Sequence, residues 1–150
     1  MIVEHILAEK GHDVVTIEPK RTLAETARLL DEKQIGAVVV SDANRPVLGI
    51  ISERDIARAV ARRGAAVLDE PVSEHMTAKV ITCTRRSTVS HLMELMTNRR
   101  IRHLPVVDGG RLTGIISIGD IVKHRVAELE TEQEDIRGYS TGTSTPGRRF

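Results

Sequence analysis

Two apolar, β-branched runs, each closed by a serine with an aspartate three residues on, set the pattern of the chain. They are Gly49-Ile50-Ile51-Ser52-Glu53-Arg54-Asp55-Ile56 and Gly114-Ile115-Ile116-Ser117-Ile118-Gly119-Asp120-Ile121. Each run suits a buried strand, and each Ser-x-x-Asp stands where a helical period of apolar positions begins. What precedes each copy repeats as well, so the internal repeat decides the architecture. In the first half, Val14-Val15-Thr16-Ile17 reads as a strand stopped by Pro19, and Thr22 caps a helix with the stripe Leu23, Ala27, Leu29 and Leu30. Residues 35–40 and 47–51 read as strands around an Asp42–Pro46 turn, and a helix from Glu53 to about Arg63 is closed by Gly64. In the second half, Val80-Ile81-Thr82-Cys83 takes the first strand's place. Thr88 caps a helix with the stripe Val89, Leu92, Met93, Leu95 and Met96, residues 101–107 form a strand, and Asp108-Gly109-Gly110 turns the chain.

The predicted fold class is therefore α/β in the α+β sense: two pseudo-symmetric β-α-β-β-α repeats. Each is too small to cover its own sheet, which predicts sheet-to-sheet packing of the halves. Residues 1–13 form a helical lead-in ended by Gly11, 14–71 the first repeat with its connector, and 72–127 the second. Residues 128–150 are an acidic helix end, reaching about Arg137, and a tail from Gly138 that lacks apolar periodicity and is expected to be disordered.

Chemistry enters at the two Ser-x-x-Asp turns. As local structure, the serine is an N-cap acceptor and the acid at the third helical position complements the helix dipole. As a site, helix-start N–H groups and the serine hydroxyl can meet phosphate oxygens, while a carboxylate one turn on can accept both hydroxyls of a ribose. The two roles are compatible, because an acid held by the helix is also aimed.

Composition narrows the partners. A net charge of +1 over 150 residues argues neither for nucleic acid nor for an acidic membrane surface. The arginine doublets 62–63, 85–86 and 99–100 are scattered, with no aromatic residues between them. The only aromatic residues besides histidine are Tyr139 and Phe150, so a base bound in the folded part must sit between aliphatic groups. No basic-plus-apolar leader and no long apolar run is present, which makes a cytoplasmic setting the expectation. The single cysteine, Cys83, lies in an apolar run and reads as an inert core thiol. No pair among the six histidines has the i, i+4 spacing with an acid of a helical zinc site, so no metal is expected. An enzyme could recruit Asp55 with His103 for phosphate hydrolysis, but no Walker-type loop and no acidic seat for Mg²⁺ accompany them. The remaining alternative is a dimerisation scaffold in which Ser-x-x-Asp is only a cap.

The doubled Gly-h-h-Ser-x-x-Asp-h unit, with His75-Met76-Thr77 and Arg100-Ile101-Arg102-His103-Leu104-Pro105-Val106-Val107 in the second half, resembles the cystathionine β-synthase (CBS) domain pair, or Bateman module. The resemblance covers about residues 5–127. It implies a disc-like pair with two clefts for adenosyl compounds (AMP, ADP, ATP or NAD(H)), acting as a stand-alone, non-catalytic sensor on a regulated partner, and a homodimer. It also implies that each cleft is shared between halves. One would hold Ser52, Arg54 and Asp55 with Lys79, Val80, Ile101, Arg102, His103 and Leu104, and the other Ser117, Gly119 and Asp120 with Val14, Val15, Thr16, Gly36 and Ala37. On that grouping Arg54, Arg102 and His103 charge the first cleft for phosphate. Gly36, Ala37 and Gly119 leave the second roomier and poorer in charge.

Overall fold

Apolar periodicity becomes twelve short elements in the computed structural model, which describes residues 1–141, with side-chain surroundings through residue 134. They are α1 (Val3–Lys10), β1 (Thr16–Ile17), α2 (Leu23–Lys33), β2 (Ala37–Val40), β3 (Gly49–Ser52), α3 (Glu53–Arg63), two 3-10 turns (Ala65–Asp69 and Val72–Glu74), α4 (Val89–Arg99), β4 (His103–Asp108), β5 (Arg111–Ser117) and α5 (Ile118–Thr141). The expected disordered tail lies, beyond Thr141, outside the described residues; α5 runs past the expected end at Arg137.

The caps fall where the sequence puts them. Thr22 accepts from the N–H of Glu25 at 3.1 Å and Thr88 from that of His91 at 3.1 Å. Both α2 and α4 then stop without glycine, at Gln34 and Arg100, each in the left-handed region with φ of 52° and 53°. The stripes are mostly buried: Leu23 and Leu30 on α2, Val89, Leu92 and Met96 on α4. Met93 is a correction, since it is 42 % exposed. It follows Leu92 directly, so the helix turns it about 100° off the buried face.

The strands are shorter than expected. In the first half β1-β2-β3 form one sheet, β1 parallel to β2 and β2 antiparallel to β3. Only Thr16 and Ile17 of the expected 14–17 strand pair, although the carbonyl of Val15 still accepts from Val39 N–H at 3.4 Å. In the second half β4 and β5 pair antiparallel, and the expected strand at 80–83 shrinks to one parallel bridge of Cys83 with Val106. Val80 and Ile81 leave the sheet and become a wall of the site described below.

The apolar residues form two clusters, each centred on the sheet of one half. One gathers Leu23, Leu30, Val38, Val40, Ile51, Ile56, Val67 and Val72; the other gathers Val3, Ile6, Leu7, Cys83, Val89, Leu92, Met96, Leu104, Val106, Ile116 and Ile121. The membership is crossed. Val72 and Met76, which lead into the second repeat, pack with the first, while α1, which leads into the first repeat, packs with the second.

This exchange explains the glycines of the repeated motif. Thr77 pairs with Ile50 through two backbone bonds of 2.9 and 3.0 Å, and a Cβ on Gly49 would lie 2.9 Å from the Thr77 carbonyl and 2.8 Å from Met76 Cγ. A Cβ on Gly114 would lie 2.6 Å from Leu7 Cδ2. Each glycine is thus the point where the other half's leading segment crosses closely.

Candidate functional site

Both Ser-x-x-Asp turns form reciprocal caps. On α3, Ser52 Oγ accepts from Asp55 N–H at 3.3 Å, and Asp55 Oδ2 accepts from Ser52 N–H at 2.8 Å and from the Ser52 hydroxyl at 3.0 Å. On α5, Ser117 Oγ accepts from Asp120 N–H at 3.1 Å and Asp120 Oδ2 from Ser117 N–H at 2.8 Å. The capping reading therefore holds in both copies, and it fixes where each carboxylate points. The residue after each serine donates backward across its own repeat, Glu53 N–H to Gly36 carbonyl at 2.9 Å and Ile118 N–H to Arg102 carbonyl at 2.8 Å. Those two bonds bring the entrances of β2 and β4 beside the starts of α3 and α5.

Between them lies a cleft of about 510 Å³ drawn from both repeats. Ser52, Arg54, Asp55, Lys79, Val80, Ile101, Arg102 and His103 all line it, together with Gly36, Ala37, Ser117 and Gly119. Eight of these twelve come from the first expected grouping and four from the second, so the lining draws on both. The cause is at the centre, where His103 Nε2 lies 3.5 Å from the position a Cβ would take on Gly36, so the β2 and β4 entrances face each other. Leu104 is fully buried beneath the site, and Asp120, Val14, Val15 and Thr16 stand outside the lining of this cleft.

Further lining residues escaped the sequence reading: Ile50, Glu53, Arg58, Thr77, Ile81, Arg100 and Ile118. Arg58 was legible, because it follows Arg54 by one helical turn and shares its face. Arg100 was not, because its place depends on the left-handed end of α4. Arg54, Arg58, Lys79, Arg100 and Arg102 give the cleft five cationic groups against Glu53 and Asp55, while Val80, Ile81 and Ile101 supply apolar wall.

His103 stands partly buried at the centre of this lining. Burial, with Lys10 and Arg102 nearby, holds its pKa below the ordinary 6.5 against the opposing pull of Asp120 and Glu53. The shift favours the neutral imidazole, which can donate or accept one hydrogen bond. A depressed histidine contributes stability that is present above its unfolded pKa and lost as pH falls through the folded one. Urea midpoints of the wild type are therefore expected to fall on acidification from 6.5 downward, and those of His103→Gln to fall less; parallel curves would overturn this.

Asp120 has a different setting from Asp55. Burial opposes its ionisation, but the hydrogen bond from Lys10, the Ser117 N–H and the charge of Lys10 outweigh burial and hold its pKa below the ordinary carboxylate value. Lys10 Nζ stands 2.6 Å from Asp120 Oδ2 and 2.7 Å from the Ile115 carbonyl. The sequence reading of this side as poor in charge missed Lys10, because the pair spans 110 residues. His12 Nδ1 lies 3.2 Å from the Thr113 carbonyl, so the segment leading into Val14-Val15-Thr16 runs beside β5.

Two other groups are structural. Cys83 is buried, and burial, with the charge of Asp108 adding to it, pushes its thiol up to about 12, which leaves it inert. Glu70, Glu74 and His75 place potential ligand atoms within 4.8 Å of one another, but Arg63 Nη1 already lies 2.8 Å from Glu70 Oε1 and His75 Nε2 3.4 Å from the same oxygen. The Arg63–Glu70 ion pair joins the end of α3 to the connector.

With this geometry in hand, comparison with known proteins places the chain. The CBS domain pattern matches residues 3–62 and 72–127. A solved CBS-domain containing protein from Agrobacterium tumefaciens is 52 % identical, with a TM-score of 0.81 over 83 % of this chain and 99 % of its own. A CBS domain protein from Pyrobaculum aerophilum, solved with AMP, is 30 % identical with a TM-score of 0.75, over 89 % of this chain and 99 % of its own. Another solved CBS domain pair, in complex with 5'-methylthioadenosine and S-adenosyl-L-methionine, is 28 % identical with a TM-score of 0.76, over 85 % and 98 %. The duplicated strand–cap–helix unit, the crossed leading segments and the matched residues together identify the chain as a member of the CBS domain family, built as a CBS domain pair.

Proposed function

We propose that the chain is a non-catalytic regulatory module that binds an adenine nucleotide in the shared cleft and signals its occupancy to a partner protein. The observation that carries this is the cleft itself: an aimed carboxylate and a capped helix start from one repeat face an apolar lip and an arginine pair from the other. Support comes from the two solved relatives holding AMP and the methylthioadenosine and S-adenosylmethionine pair. In this reading Oδ1 of Asp55, which accepts no hydrogen bond among the described residues, takes the ribose hydroxyls. Val80, Ile81 and Ile101 flank the adenine, Arg54 and Arg102 hold phosphate, and His103 donates or accepts one neutral hydrogen bond. AMP, ADP, ATP and NAD(H) all fit this chemistry, in a cytoplasmic setting where Cys83 stays reduced.

The test is a melting curve together with an assay of nucleotide turnover. Binding at micromolar affinity, about 8 kcal/mol, with a hundredfold excess of ligand adds roughly 2.7 kcal/mol of apparent stability. AMP is thus expected to raise Tm by several degrees and to be recovered unchanged. No response to millimolar AMP, ADP, ATP or NADH would leave the scaffold reading, and consumption of nucleotide would favour the enzyme. Arg102→Ala is expected to weaken AMP while sparing adenosine; equal losses for both would remove Arg102 from the phosphate.

The module also carries a surface suited to a second copy. Ile118, Val122, Val126 and Leu129 recur at helical spacing on α5 and are 44, 56, 36 and 45 % exposed, and Ala57 and Ala61 are exposed on α3. We infer a homodimer through α3 and α5. Light scattering is expected to return twice the chain mass at tens of micromolar, and Val122→Glu the chain mass; the chain mass for wild type would refute the pairing. Among the described residues no helix is long and apolar enough to cross a membrane.

A further inference from the structure

The connector between the repeats gathers a histidine and two glutamates around one point. Glu70 caps the end of the first 3-10 turn, Glu74 ends the second, and His75 follows it. The backbone fixes two of the three. Glu70 N–H donates to the Val67 carbonyl and the Glu70 carbonyl accepts from Leu23 N–H, both at 3.0 Å, while His75 N–H donates to the carbonyl of the fully buried Val72 at 3.0 Å. Glu74 is exposed and free to swing. His75 is only 11 % exposed in its side chain, and its Nε2 and both carboxylate oxygens of Glu70 are buried. None of these three atoms has a hydrogen-bond partner among the described residues. Arg63 Nη1 lies 2.8 Å from Glu70 Oε1 and supplies charge, but without the alignment of a hydrogen bond and from a side chain 62 % exposed. Buried polar atoms are nearly always paired, so three orphans converging on one another call for a ligand.

We propose that Glu70, Glu74 and His75 form a binding site for a divalent transition metal, with Zn²⁺ the best fit. One imidazole nitrogen and two carboxylate oxygens suit that ion, whereas Mg²⁺ and Ca²⁺ prefer oxygen alone. The spacing is that of metal ligands. Donors about 2.0 to 2.2 Å from a tetrahedral ion stand about 3.3 to 3.6 Å from one another, and His75 Nε2 lies 3.4 Å from Glu70 Oε1. The potential ligand atoms of all three residues are already within 4.8 Å of one another, so a rotation of the Glu74 side chain closes the set, with water in the fourth position. Charge agrees. Two carboxylates against one guanidinium leave the cluster negative, and Arg63 can withdraw into solvent when the ion takes its place. The expectation of no metal rested on helical histidine spacing, which donors gathered by two turns escape. A bound ion would tie those turns together just before Met76 and Thr77 cross at Gly49.

The experiment titrates Zn²⁺ calorimetrically into the full chain without nucleotide, so that its outcome is independent of the function proposed above. Wild type is expected to bind one ion per chain. Glu74→Gln and His75→Gln are each expected to weaken binding by about tenfold or more, since even an outer-shell partner is worth that much to a metal site. Arg63→Ala is expected to tighten it, because the competing cation is gone. His124→Gln, which changes another buried histidine beside a carboxylate, is expected to leave it unchanged. Zn²⁺ in excess should also raise the Tm of wild type and not that of His75→Gln. No binding to wild type, full affinity in Glu74→Gln or His75→Gln, or loss of the ion in His124→Gln would overturn the proposal. Melting curves identify the folded variants, and Glu74→Gln, at an exposed position, decides the matter should His75→Gln be unfolded.

Discussion

Replacing Leu7 by alanine is expected to lower the stability of the fold by about 2 to 5 kcal/mol, the range for removing a fully buried leucine. Leu7 is a core residue of the second half although it precedes the first, and its methyls press on the backbone of Gly114. The loss should appear as a lower urea midpoint with an unchanged slope. The contact can be isolated by a double-mutant cycle. A Cβ on Gly114 would lie 2.6 Å from Leu7 Cδ2, so Gly114→Ala alone crowds the leucine and is expected to destabilise. In the Leu7→Ala background the same change meets open space, and the two effects should fall short of their sum by about 1 kcal/mol or more. Strict additivity, or a loss on Leu7→Ala below about 1 kcal/mol, would show that α1 is not part of the second core.

The second large effect is expected from Asp55→Ala, which acts on ligand and fold together. Its carboxylate is the aimed group of the cleft, and losing a charge-assisted hydrogen bond to a ribose costs about 1.5 to 3 kcal/mol, so AMP affinity should fall by roughly tenfold to over a hundredfold. The same carboxylate accepts the Ser52 N–H at 2.8 Å, so α3 loses half of its reciprocal cap and stability falls by about 0.5 to 2 kcal/mol. Asp55→Asn separates the two roles, because the amide oxygen still accepts the cap bond but carries no charge. It is expected to recover most of the stability and little of the affinity. Full AMP affinity in either variant would remove Asp55 from the ribose.

The periodic elements were legible because they depend on neighbours in sequence. Thr22, Ser52, Thr88 and Ser117 announce helix starts through bonds that close within three residues, and all four form. The end of α3 at Gly64 was legible for the same reason. The ends of α2 and α4 were not, because Gln34 and Arg100 take a conformation that their identity does not advertise. The first strand of each repeat was over-read. A β-branched run satisfies the pattern of a strand, but whether it pairs depends on a partner elsewhere, and Val80 and Ile81 serve the cleft instead.

By itself the sequence determined the α+β class, the duplication and the two Ser-x-x-Asp helix starts, since these are local patterns. Tertiary structure alone decided how the halves divide the work. The exchange of leading segments, Met76 and Thr77 against Gly49 and Leu7 against Gly114, is set by shape complementarity between surfaces distant in sequence, and no period encodes it. The same is true of the facing of His103 with Gly36, which merges residues of both repeats into one cleft, and of the Lys10–Asp120 pair. A charge 110 residues away can neutralise an aspartate only once the chain has folded α1 against β5, so the inequality of two identical motifs is a property of packing.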